Sequence, residues 1–104
     1  MTAAVHEKGG FIFCQLWHTG RASPPGIRGG QQGISSSNIP MSGNALDGTL
    51  CADAPPRPMT ADEIHATTKA WGQAARNAIA AGFDGVEIHG ERYRAGCSDH
   101  ELTI

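Results

Sequence analysis

The chain has 104 residues, a formal charge of -2 from eight basic and ten acidic side chains, 39% hydrophobic content and 6% aromatic content, a balance typical of a soluble globular protein. Near-neutral charge without a basic run gives no electrostatic footprint for nucleic acid or an anionic membrane surface, so neither is expected as a partner. No stretch approaches the roughly 20 consecutive apolar residues of a membrane helix, and "MTAAVHEKGG" lacks the basic start and apolar core of a signal peptide, so a cytoplasmic setting is expected.

In chain order, "TAAVHEKGG" has the glycine-terminated shape of a helix end. The chain is therefore expected to begin within a helix. "FIFCQLW", residues 11 to 17, is a short apolar and aromatic run entered through Gly9 and Gly10, which suits a buried strand. Residues 18 to 59 are rich in Gly, Ser, Pro and Asn, which fits either a disordered linker or a functional loop packed over the end of a larger scaffold.

"MTADEIHATTKAWGQAARNAIAAGF" predicts a helix. Thr60 and Glu63 make a capping box, Asp62 and Glu63 sit where the helix dipole favours acids, and Gly82 suits a left-handed end. Ile64, Trp71, Ala75, Ala78 and Ile79 are expected to trace its buried face, with Trp71 as a packing anchor rather than a ligand platform. "GVEIH", residues 85 to 89, follows as a second strand. Strand, loop, capped helix, tight turn and strand make one βαβ unit of a parallel α/β sheet.

In such folds the chemistry gathers at the carboxyl ends of strands. Gln15, Trp17, His18 and Arg21 lie at the end of the first strand and His89 at the end of the second. A glutamine amide both donates and accepts, which suits reading the edge of a heterocycle, or bonding to backbone. A strand-end histidine can donate to a carbonyl, act as acid or base, hold a metal, or serve only the structure.

His18 and His89 alone are too few for zinc, no HxH or HExxH spacing is present, and no metal is expected. Cys14, Cys51 and Cys97 are odd in number and widely spaced, so no disulfide framework is expected, and Cys14 reads as a small buried hydrophobe. There is no GxGxxG after a strand, no P-loop and no G-x-S-x-G elbow.

Taken together, "AVHEKGGFIFCQLWHTGRAS", "PRPMTADEI" and "NAIAAGFDGVEIHG" resemble, in order and spacing, the old yellow enzyme family of FMN-dependent NAD(P)H:flavin oxidoreductases, which includes the 12-oxophytodienoate reductases. The resemblance implies a fragment of a TIM (β/α)8 barrel covering about two strands, one long loop and one full helix, out of a fold of roughly 250 residues. It implies an ene-reductase: NAD(P)H reduces FMN, and the flavin passes a hydride to the β-carbon of an α,β-unsaturated carbonyl compound. By the same resemblance Gln15 binds the flavin, Trp17 lines the substrate pocket, and His89 binds and polarises the carbonyl of a small enone.

The likeness runs through residues 1 to 90, and residues 91 to 104 are expected to form a divergent tail. Where the family continues with a pattern like H-G-A-[NH]-G-Y-L, Arg92 takes the place of the second carbonyl donor and Arg94 that of the proton-donating tyrosine. Tyr93 stands one position early. A shift of reading frame or a retained intron would produce such a departure. The isolated chain is expected to be inactive and to bind neither FMN nor NAD(P)H. The alternative is a non-catalytic truncated product that pairs its open strands with another chain.

Overall fold

Two helix ends with the same hydrogen-bond wiring set the direction of the two strands that matter. The computed structural model describes residues 1–45 and 47–90. These fall into two units: one is formed by residues 1–18 and 61–89, and the other is built on residues 19–60.

In the first unit, helix α1 (Thr2–His6) leads to strand β1 (Phe13–Leu16), and helix α2 (Ala61–Ala80) leads to strand β4 (Gly85–Ile88). At the end of α1 the amide of Gly9 donates to the His6 carbonyl at 2.8 Å and that of Gly10 to the Val5 carbonyl at 3.1 Å. At the end of α2 the amide of Gly82 donates to Ile79 at 2.9 Å and that of Phe83 to Ala78 at 3.1 Å. Both are Schellman closures, which need a left-handed residue, and Gly9 and Gly82 supply it with φ of 71° and 89°. Asp62 and Glu63 occupy the first turn of α2, where acids offset the positive end of the helix dipole.

Strands β1 and β4 pair in parallel, with Phe13 opposite Gly85, Cys14 opposite Val86, Gln15 opposite Glu87 and Leu16 opposite Ile88. Gly85 leaves room for the Phe13 ring. A Cβ there would lie 2.5 Å from Cε1 of Phe13 across the ladder. Exposure alternates along residues 11 to 18, with Phe11, Phe13, Gln15 and Trp17 exposed and Ile12, Cys14, Leu16 and His18 half-buried. One face of the sheet is therefore covered and the other is open.

The covering helix is rotated from its expected phase. Glu63, Thr67, Trp71, Ala74, Ala75 and Ala78 are its less exposed residues, whereas Ile64 and Ile79 are 47% and 54% exposed. The strand-facing side of the helix is thus built mostly of small residues, and the two isoleucines sit on its flank. Trp71 keeps its expected role on the packed side. Cys14 is half-buried beneath the helix rather than fully enclosed.

The second unit corresponds to the Gly- and Pro-rich region, and it is folded, not a structureless linker. Strands β2 (Ile34–Ser35) and β3 (Arg57–Pro58) pair in parallel. The amides of Arg57 and Met59 donate to the carbonyls of Gly33 and Ser35 at 2.7 and 2.8 Å, so Pro58 falls at the position whose missing N–H costs nothing. Short 3₁₀ turns span Gly20–Ala22, Pro25–Arg28 and Cys51–Asp53. Met41 and Cys51 form its small core, with Ala22 and Ala45 packed against them.

Candidate functional site

The open face of the first unit carries the side chains named by the sequence. Alternation along β1 places Gln15 and Trp17 on that face, and the parallel register sets Glu87 beside Gln15. The ladder continues one step past β4, because the amide of His89 donates to the Leu16 carbonyl at 2.9 Å. This bond fixes the His89 backbone and sends its imidazole to the same side as Trp17. The two rings meet edge to face, with centroids 5.8 Å apart and planes at 85°, a separation and angle that aromatic pairs favour.

His18 points the other way. It lines a cleft of about 300 Å³ against α2, together with Leu16, Thr67, Ala70, Trp71 and Ala74, and Trp17 borders this cleft at the strand end. The structure thus brings Gln15, Trp17 and His89 together on one face and does not join His18 to them. Arg21 belongs to the second unit, where its guanidinium donates to the Ser37 hydroxyl at 3.2 Å. Arg92, Tyr93, Arg94 and Cys97 lie outside the described residues. Among the described residues no group of three or more His, Cys, Asp or Glu side chains is placed to hold a metal.

At the opposite end of the same strands is a polar lock that the sequence reading missed. The Asp84 Oδ2 atom accepts from the Ile12 amide at 2.8 Å and lies 2.9 Å from His6 Nε2. An ionised carboxylate only accepts, so Nε2 is the donor. The Asp84 amide in turn donates to the Ile12 carbonyl at 3.0 Å. One carboxylate therefore ties the entrance of β1 to that of β4 and to α1. Its position directly ahead of a strand and two residues after the helix-closing Gly82 was the available signal.

The Ile12 amide, and after it the His6 side chain, hold the Asp84 carboxyl below its ordinary value of 3.8. A depressed carboxyl adds stability that is fully present above its unfolded value and is lost as pH falls through the lower folded value. With residues 1–90 set in a complete barrel, a carboxyl-carbon NMR titration of Asp84 is expected to show an acid-shifted midpoint. His6→Ala should leave most of that shift in place, because the backbone donor is the larger cause. A midpoint at the unfolded value with residues 1–90 held in a complete barrel would contradict the lock.

Comparison with known proteins identifies the family and the fold. Residues 1–92 match the family described as NADH:flavin oxidoreductase / NADH oxidase. A flavin oxidoreductase of Emericella nidulans is 60% identical over 90 residues, covering 86% of this chain and 23% of that protein. 12-oxophytodienoate reductase 7 of Oryza sativa subsp. japonica is 48% identical over 92 residues, covering 84% and 23%. The chain thus spans about a quarter of the length of these curated relatives.

Among solved structures, the old yellow enzyme homologue of Zymomonas mobilis superposes with a TM-score of 0.73 at 34% identity, over 90% of this chain and 30% of that one. Morphinone reductase in complex with tetrahydroNAD superposes at 0.70 and 33% identity, over 91% and 32%. Strands β1 and β4 with helix α2 are thus a segment of a TIM (β/α)8 barrel, and the face that carries Gln15 is the one that looks into the barrel. With the match covering most of its residues and the barrel geometry agreeing, the chain belongs to the NADH:flavin oxidoreductase / NADH oxidase family.

Proposed function

We propose that residues 1–90 supply part of the flavin and carbonyl sites of an FMN-dependent ene-reductase that draws on NAD(P)H. The observation that carries this reading is that Gln15, Trp17 and His89 share the open face at the carboxyl ends of two parallel barrel strands. That is the end of a barrel where reactive groups assemble. Relatives and neighbours support the chemistry. One is a probable flavin mononucleotide-dependent alkene reductase of Leishmania infantum, 40% identical over 97 residues, and morphinone reductase carries a nicotinamide analogue.

The donor set fits such a cofactor and substrate. Gln15 is exposed on the barrel-facing side and offers one acceptor and two donor hydrogens, which match the alternating carbonyl and N–H groups on a flavin's polar edge. When bound, FMN takes a hydride from NAD(P)H and delivers it to the β-carbon of an α,β-unsaturated carbonyl compound, while a proton reaches the α-carbon. His89 donates an N–H to the carbonyl oxygen and stabilises the negative charge that gathers there. Trp17, half exposed beside it, forms a wall of the substrate space.

The test is a composite barrel, in which residues 1–90 replace the matching segment of the Emericella nidulans flavin oxidoreductase. It is expected to purify yellow and to oxidise NAD(P)H when given a small cyclic enone. Gln15→Leu should weaken FMN binding about tenfold or more, since a buried imide edge then loses its partner. A well-folded composite that stays colourless with excess FMN would refute the proposal.

A further inference from the structure

We infer that Trp17 is a positioning residue for His89: its indole sets the orientation in which the imidazole meets the substrate carbonyl. The inference rests on the proposed carbonyl-binding role of His89 and goes beyond the role of Trp17 as a pocket wall. The His89 backbone is pinned by its bond to the Leu16 carbonyl, but the imidazole keeps two side-chain torsions. Among the described residues no hydrogen bond or ion pair holds that ring, and the perpendicular contact with Trp17 does.

The contact follows from the register. Trp17 stands two residues beyond Gln15 and His89 two beyond Glu87, the residues that face each other across the ladder, so strand geometry alone brings the rings to one side. At 5.8 Å and 85° the positive edge of one ring meets the negative face of the other. Rotation of the imidazole away from the carbonyl breaks this contact. An N–H donor acts on developing charge only when it is already aimed at the oxygen, so a loose ring loses turnover rather than substrate affinity.

The composite barrel provides the test, with a small enone too short to touch the indole wall. Trp17→Leu should lower kcat about three- to tenfold with little change in KM, matching the worth of an aromatic pair, and Trp17→Phe should restore most of it. In a His89→Ala background, Trp17→Leu should have less than about a twofold further effect, because coupled residues are not additive. If Trp17→Leu loads no flavin, Trp17→Met, which fills space without an aromatic ring, takes its place in the cycle.

Additive losses in that background, a loss confined to KM, or a loss that grows only with substrate size would overturn the inference and leave Trp17 as a wall. A parent composite with neither flavin nor turnover would instead refute the proposed function itself.

Discussion

Replacing His89 by alanine in the composite barrel is expected to reduce kcat for enone reduction about 10²- to 10³-fold, the usual cost of removing one donor from a developing oxyanion. FMN loading should be unchanged. The separation follows from position, since His89 sits one step past β4 against Trp17, whereas Gln15 sits two residues back along β1. His89→Asn, which keeps an N–H donor of shorter reach, should fall between alanine and wild type. Stopped-flow measurement of the half-reaction with enone would isolate this step from the reduction by NAD(P)H. An alanine variant with more than half of the wild-type rate would remove His89 from the mechanism.

The second large effect concerns the 104-residue polypeptide alone. It is expected to remain colourless after incubation with FMN and gel filtration, and to unfold without a sharp thermal transition. The reason is the state of the sheet. Parallel strands are stable when both faces are covered, and here the open face leaves Phe13 60% exposed while even Ile88, on the side of α2, stays 67% exposed. Among the described residues, Ala78 is the buried hydrophobic side chain of the first unit, and Met41 and Cys51 those of the second. Cores of that size contribute far less than the entropy lost on ordering the chain. A yellow product with a cooperative transition would show that the missing contacts are supplied in another way, such as self-association through open strand edges.

Much of this was legible in the sequence because local rules decided it. The limits of α2 follow from its acidic first turn and from Gly82, and the strands follow from short apolar runs entered through glycines. The rotation of α2 was not legible, because hydrophobicity does not distinguish the side facing a sheet from the side facing other helices. Ile64 and Ile79 carry the larger apolar surface, yet the small residues pack. Strand-end position nominated Gln15, Trp17 and His89 together with His18 and Arg21, and the family resemblance singled out the three.

Their contact was not readable from order alone. It depends on a register between strands separated by a loop and a helix, and a slip of one residue would have placed the rings on opposite faces. The two-residue pairing of β2 with β3 and the Asp84 lock were missed for the same reason. Each is a nonlocal bond made by residues whose local sequence says only turn or loop.

The twin closures at Gly9 and Gly82 have a consequence for how such a chain can be recombined. Since each helix hands the chain to its strand through the same pair of hydrogen bonds, a cut made at one corner leaves ends that match a cut at the other. The stretch between them begins and ends at the same kind of corner, and an exchange of it between related barrels has to keep partners for Asp84, whose carboxylate accepts from Ile12 inside the stretch and lies against His6 outside it.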